Sequence, residues 1–179
     1  MVATSSPDLP APLARLFAWA RIDFHPPHRP PAWWRVGVAT VLALVGSLLA
    51  DAAIVAVWTH AIASTKGYVH FQFHDYARLT IIGVLIACAG WPVVARCCSA
   101  PRWLFFRLAI VVTLVLFLPD LYIWHQGQPA KAVAGLLCMH VAIALVTYNA
   151  LVHVAPVRGV PRGRGAGGVS SSGEAGVSP

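Results

Sequence analysis

Four long apolar runs divide the chain, at about residues 36–58, 76–95, 103–118 and 132–154. Each approaches the roughly 20 residues that an α-helix needs to cross the hydrocarbon core of a bilayer. In lipid, backbone polar groups must be hydrogen-bonded within the segment, which favours helices. The pattern predicts an all-α membrane protein. Short connections between the later runs favour antiparallel neighbours, and therefore a four-helix up-down transmembrane bundle.

Polar sequence flanks these runs and divides the chain into three parts. Residues 1–35 are basic and proline-rich and lack the apolar stretch and cleavage site of a signal peptide. Within them, residues 13–24 match either a short amphipathic helix or an unstructured segment that the following prolines end. Residues 36–154 form the predicted bundle. Residues 155–179 are rich in Gly, Ser and Arg and are predicted to be disordered, because they bury too little apolar area to offset their ordering entropy.

Composition strengthens the membrane assignment but indicates no reaction. Hydrophobic residues make up 58% of the chain and charged residues 11%, whereas about a quarter of the residues of a typical soluble domain are charged. The four cysteines include no C-x-x-C pair, so a thiol oxidoreductase lacks its usual chemistry. Hydrolase, zincin and nucleotide-binding motifs are missing from the sequence as well.

Arginine and lysine are distributed unevenly around the predicted spans. If the N-terminus is cytoplasmic, only Lys66, Arg78 and Lys131 of the 13 basic residues lie on the outer side. The positive-inside rule then predicts a multi-pass protein of the cell membrane with cytoplasmic N and C termini. The net charge of +7 serves this orientation and attraction to anionic lipid head groups, so the lipid bilayer is the expected partner rather than nucleic acid.

Asp51 and His140 are ionisable residues that fall deep within the first and fourth predicted spans. A helical rise of about 1.5 Å per residue places both roughly 10 to 12 Å below the outer ends of these spans. A charge in lipid is costly, so such residues normally face the bundle interior and have partners. We predict an Asp51–His140 pair, with Ser47 and Thr147 on the same polar faces and Arg78 reaching towards it. The pair serves a proton relay or a substrate cavity, or is a hydrogen bond that fixes helix register.

Small residues predict close helix packing in the first two spans. Because helices in lipid associate through close contacts rather than through burial from water, small residues at spacings of three and four mark the contact faces. They are Ala39, Ala43, Gly46, Ala50 and Ala53 in the first span, and Thr80, Gly83, Ala87 and Gly90 in the second. The face with Gly83 and Gly90 is alternatively a surface for a membrane-protein partner or for a homo-oligomer.

Histidine and aspartate also cluster on the predicted outer face. His70 and His74 are four residues apart, and Asp75, Asp120 and His125 are expected in the neighbouring loops. Imidazole and carboxylate groups are ligands for transition metals, so a metal cofactor at His70, His74, Asp75 and His125 is one hypothesis. The alternative is that these histidines are amphipathic residues of a wet membrane boundary, with no cofactor.

Short motifs in the last two spans resemble a family of small bacterial four-span membrane proteins classed as a domain of unknown function. They are Leu118, Pro119 and Asp120, which we expect to end the third span, and LLCMHVA at residues 136–142. The resemblance covers about residues 35–155. It implies a four-helix membrane fold and directs attention to Asp120 and His140, and it implies no activity.

The sequence therefore leaves two classes of function open. The first is a non-enzymatic membrane protein, either an accessory or interaction subunit or a small carrier with a polar interior. The alternative is a membrane-embedded, metal-dependent enzyme that uses the outer histidine and aspartate cluster.

Overall fold

In a computed structural model of the chain, residues 10–22, 28–61 and 71–159 are described. These residues form five helices and two short strands, which pair antiparallel. In chain order they are α1 (Ala11–Ala20), β1 (His28–Arg29), α2 (Trp33–Ala61), α3 (Phe73–Cys97), α4 (Pro101–His125), α5 (Ala130–Val154) and β2 (Arg158–Gly159). Helices α2 to α5 are long and apolar enough to cross a membrane, which confirms the prediction of a helical protein with four such segments.

Helix α4 is longer than the sequence predicted. We expected it to end at Leu118, but it continues through Pro119 to His125. The prediction was wrong because proline removes one backbone hydrogen bond, whereas ending a helix within lipid leaves several backbone groups without partners. Helix α3 continues past Pro92 in the same way. As a result, Asp120 lies inside a long apolar helix rather than in a loop.

Helix α5 packs most extensively on α2 and next on α4, while α3 packs mainly on α2. One apolar cluster includes Ala39, Ala43, Trp91 and Leu151, all fully buried. A second apolar cluster forms around Met139, with Phe71, Tyr76 and Ala77. The buried face of α2 continues from Ala43 to Ser47 and Asp51, so polar groups enter the bundle beyond the first cluster.

Two glycines allow close contacts between α5 and its neighbours, Gly46 in α2 and Gly135 in α5 itself. Neither lies on the small-residue face predicted for α3. A methyl group at Gly46 would lie 2.9 Å from Val146 Cγ1, and one at Gly135 would lie 2.8 Å from Phe71 Cζ. By contrast, a methyl group at Gly83 or Gly90 would meet no neighbouring atom of the described residues within 4 Å. The prediction that these two glycines bring α3 close to α2 was wrong. The buried face of α3 instead carries larger residues: Tyr76, Ala77, Thr80, Val84, Cys88, Trp91 and Ala95.

The segments that precede and follow the four long helices meet at one end of the bundle. β1 pairs with β2, which places Arg29 opposite Arg158. The His28 ring donates to the carbonyl oxygen of Ala95 at 2.9 Å, and Trp91 Nε1 donates to that of Ala155 at 2.8 Å. We call this the strand end. At the opposite end, which holds the connection between α4 and α5, Trp58 Nε1 donates to the carbonyl oxygen of Lys131 at 2.7 Å.

The polar flanking segments are described only in part. Helix α1 covers Ala11–Ala20, so residues 13–20 of the predicted stretch 13–24 are helical, residues 21 and 22 are not, and residues 23 and 24 lie outside the described residues. Of residues 155–179, those from 160 onward lie outside the described residues, and the predicted disorder there stays a prediction. Residues 158 and 159, within the segment predicted to be disordered, form β2.

Candidate functional site

Each of the four long helices contributes a polar side chain to the bundle interior. Asp51 of α2, Thr80 of α3 and Asp120 of α4 are buried, and His140 of α5 is partly buried. Their sequence positions explain this placement, because each lies on the face that its helix buries. Asp51, for example, follows Ala39, Ala43 and Ser47 at successive intervals of four residues.

Asp51 is fully buried, and its one hydrogen bond comes from α3. The Thr80 hydroxyl donates to Asp51 Oδ2 at 2.7 Å. The other carboxyl oxygen, Oδ1, has no hydrogen-bond partner among residues 10–22, 28–61 and 71–159. Asp51 therefore combines a fixed orientation, set by Thr80, with one oxygen that is free to accept a hydrogen bond or hold a proton.

His140 contacts Asp120 rather than Asp51. Its Nδ1 lies 3.2 Å from Asp120 Oδ2 and 2.9 Å from the carbonyl oxygen of Leu136. A carbonyl oxygen only accepts hydrogen bonds, so Nδ1 carries a hydrogen and Nε2 is the nitrogen that can take up a second proton. Although the Asp120 contact is within ion-pair distance, Oδ2 makes no hydrogen bond of good geometry. The Nδ1 hydrogen is directed mainly at Leu136.

Two hydroxyl groups extend the polar interior without protein partners. Ser47 Oγ and Thr147 Oγ1 are buried and make no hydrogen bond with the described part of the chain. Leaving a buried polar group unpaired costs about 1–3 kcal/mol, so several such groups in one small bundle call for an explanation. A ligand, water or proton that they bind would supply one.

The predicted site residues are therefore brought together in a different pairing. Within the described ranges, Asp51 accepts a hydrogen bond from Thr80 and His140 contacts Asp120, and no hydrogen bond or contact ion pair joins Asp51 to His140. Arg78 is exposed and makes no ion pair with the part of the protein that is described. The sequence analysis missed Thr80 as a partner. Its position three residues after Ala77 and four before Val84, on one apolar helix face, is the signal that could have revealed it.

The proposed metal ligands lie outside this interior. His74 Nε2 contacts Asp75 Oδ1 at 3.2 Å near the start of α3, and His125 is exposed at the end of α4. His70, like Lys66, lies outside the described residues. Across residues 10–22, 28–61 and 71–159, no three potential ligands gather around one point. A metal at His70, His74, Asp75 and His125 stays a prediction.

A groove of about 250 Å³ lies between α4 and α5. Its lining is almost entirely apolar and includes Phe106, Leu114, Leu145 and Tyr148. The Thr113 hydroxyl, which also lines it, donates to its own helix at Ala109. The groove offers no set of converging polar groups, so the polar interior remains the candidate site.

Comparison with protein-family models, curated proteins and solved structures found no match. The resemblance based on Leu118, Pro119, Asp120 and residues 136–142 stays a prediction. The structure identifies a bundle of four helices long and apolar enough to cross a membrane, with ionisable side chains in its interior.

Proposed function

We propose that the chain is a small carrier of the cell membrane that binds and passes protons through its polar interior. One observation carries the proposal: Asp51 is fully buried among apolar helices, yet Oδ1 has no partner in the part of the chain that the structure describes. Ionisable residues inside membrane spans are rare and typically mark ion or proton paths. A residue with a purely structural role would be expected to have both of its carboxyl oxygens satisfied.

The depths of the polar groups support a proton path that starts at the end of the bundle opposite the strand end, where α4 connects to α5. By helical rise, Asp120 lies about 8 Å from the end of α4, and Asp51 and His140 each lie about 15 Å from the nearer ends of their helices. The groups thus extend from one end to about the middle of a core roughly 30 Å thick. A histidine changes its charge near neutral pH, which suits His140 to relay protons to and from this depth.

Apolar packing closes the other half of the bundle. Between Ser47 and the strand end, the interior is filled by Ala39, Ala43, Trp91 and Leu151. Such a barrier distinguishes a carrier from a channel, because the binding site of a carrier opens to one side of the membrane at a time. In this proposal, protons reach Asp51 from the end of the bundle that connects α4 to α5. A change in the packing of the first apolar cluster then opens Asp51 to the strand end.

Proton movement can be measured directly in liposomes. The purified chain is reconstituted with an internal pH-sensitive dye, and a potassium gradient with valinomycin sets the membrane potential. We expect Asp51→Asn and His140→Gln to lower the rate of internal pH change by about tenfold or more, since each removes a proton-binding group. Arg78→Gln is the matched control, because it removes an ionisable group from the exposed face of α3. Wild-type liposomes no more permeable than empty ones would refute the carrier.

The proposed orientation is an up-down bundle with cytoplasmic termini, supported by the basic residues near the strand end. Cysteines introduced at Gln128 and Arg29, in a chain whose four native cysteines are replaced, test it with a membrane-impermeant maleimide. We expect Gln128→Cys to react in intact cells and Arg29→Cys only after lysis. The reverse pattern would overturn the orientation and leave the proton-flux result unaffected.

An accessory subunit is the second candidate function. It is favoured by Gly83 and Gly90, which lie seven residues apart on α3 with nothing within 4 Å of an added methyl group. Such an open face lets another helix approach closely in lipid. Mass determination of the protein extracted from its native membrane tests this candidate. A stoichiometric second chain that is lost in Gly83→Leu, but retained in Leu85→Ala at an exposed position on the other side of α3, supports it. A monomer in every preparation contradicts it.

A further inference from the structure

Two arginines and two tryptophans join α1 to the beginning of α4 at the strand end. The Arg107 guanidinium carbon lies 4.1 Å from the Trp103 ring centre and 5.3 Å from that of Trp19. Arg21 lies 5.4 Å from the same Trp103 ring, and the two indoles meet edge to face at 5.7 Å. Both guanidinium groups are therefore gathered around one indole ring by cation–π contacts.

The backbone holds Arg21 in this position. Its φ of 51° lies in the left-handed region, which costs a residue other than glycine about 1 kcal/mol or more. The carbonyl oxygen of Arg21 accepts hydrogen bonds from the backbone N–H and the hydroxyl of Ser99, at 3.1 and 3.2 Å. Ile22 then forms a β-bridge with Cys98. The unfavourable conformation is thus stabilised by the connection between α3 and α4, and it turns the Arg21 side chain towards Trp103.

Neither guanidinium group forms an ion pair with an acidic residue of the described ranges. Within the described parts of the chain, the only ion pairs are those of His74 with Asp75 and of His140 with Asp120. A cation–π contact uses the face of a guanidinium and leaves its N–H groups directed outward at the edge. These donors form a planar fork that matches the oxygens of a phosphate group.

Exposed apolar side chains adjoin this basic cluster. Leu13, Leu16 and Trp19 of α1 are each about half exposed, at 42%, 53% and 55%. A short helix with uncovered apolar residues and neighbouring arginines is typical of a segment that lies in the membrane interface. A lipid molecule can satisfy both features at once, because its phosphate meets the arginines while its acyl chains meet the apolar residues.

We propose that Arg21 and Arg107, held by Trp103, bind the phosphate of an anionic phospholipid head group at the strand end. The uncovered apolar side of α1 favours a lipid over free phosphate, which would leave that side in water. Arg29 and Arg158, which lie opposite each other in the two strands, are a second pair of like charges at the strand end. They also favour an anionic surface there. Like charges directly opposite each other destabilise a strand pair, and an anionic membrane surface relieves their repulsion.

Native mass spectrometry of the full chain tests this site. The protein is stripped of lipid in detergent and mixed with equal amounts of phosphatidylglycerol and phosphatidylcholine. We expect the wild type to retain phosphatidylglycerol preferentially, and Arg107→Gln and Arg21→Gln to weaken its binding by about tenfold. Arg102→Gln is the matched control, because Arg102 is exposed in the first turn of the same helix and carries the same charge.

Further variants separate a defined site from general charge attraction. Trp103→Leu keeps the net charge and is expected to weaken lipid binding, while Arg107→Lys keeps the charge without the planar fork and is expected to bind with intermediate strength. Helical content and melting temperature are measured for every variant, and only folded variants are compared. Equal losses in Arg107→Gln and Arg102→Gln would overturn the proposal. Complete displacement of the lipid by inorganic phosphate would overturn its assignment to a lipid.

Discussion

The Thr80 hydroxyl donates a 2.7 Å hydrogen bond to Asp51 and so ties α3 to α2 inside the bundle. Thr80→Val preserves the shape of this side chain and removes the donor, which leaves both oxygens of Asp51 without a partner. We expect the free energy of unfolding to fall by about 1–3 kcal/mol, as for other unsatisfied buried groups. The measurement is reversible unfolding in mixed micelles, followed by circular dichroism.

Thr80→Ser is the control for this substitution, because serine keeps the donor and loses only a methyl group. It should retain most of the stability that valine loses. The double variant Asp51→Asn, Thr80→Val tests the pairing further, since the two effects should not add if the residues act on each other. A Thr80→Val protein as stable as the wild type would contradict the hydrogen bond.

Glycine substitutions test how α2 packs on α5. Gly46→Ala places a methyl group 2.9 Å from Val146, and relieving that contact should cost about 1–3 kcal/mol. Gly83→Ala makes the same chemical change on α3, where nothing lies within 4 Å, and should be neutral or stabilising by up to about 1 kcal/mol. Unfolding in micelles compares the two. If Gly83→Ala were the more damaging variant, the helix packing described above would be incorrect.

Trp91 links α3 to the end of α5 through a buried hydrogen bond to the carbonyl oxygen of Ala155. Trp91→Phe retains an aromatic ring beside Phe105, which Trp91 meets edge to face at 5.1 Å, and removes the donor. We expect a loss of about 2–4 kcal/mol from the unpaired carbonyl group and the smaller ring. Trp34→Phe, at an exposed position in the first turn of α2, should change stability by less than about 0.5 kcal/mol.

A double-mutant cycle measures the contact between Asp120 and His140. The free energy of unfolding is measured for Asp120→Asn, for His140→Gln and for the double variant. We expect a coupling energy of about 0.5–1.5 kcal/mol, because the two side chains lie 3.2 Å apart inside the bundle. The same cycle with Asp75 in place of Asp120 serves as the control and should give a value near zero. A coupling energy near zero for Asp120 and His140 would indicate that Leu136 alone orients the imidazole.

Much of the fold follows from the sequence, because helix length and apolar composition are local properties. Four spans and the buried face that carries Ser47 and Asp51 were predicted from such patterns. The partner of His140 was not predicted. Helical rise gives the depth of a residue but leaves the rotation of each helix about its axis undetermined. Asp120 was expected at the end of the third span and in the following loop, so it was not considered as a partner inside the bundle. The burial of Thr80 depends in the same way on how α3 turns towards α2.

The pairing of β1 with β2 constrains the order in which the protein is completed. His28 and Arg29 are synthesised before any of the four spans, but their partners Arg158 and Gly159 follow the last one. The ribosome must therefore deliver the whole bundle before this ladder can close, whereas the hydrogen bond from His28 to the carbonyl oxygen of Ala95 does not depend on β2. Closure of the strand end is thus a late event in biogenesis, and a chain that stops within α5 cannot reach it.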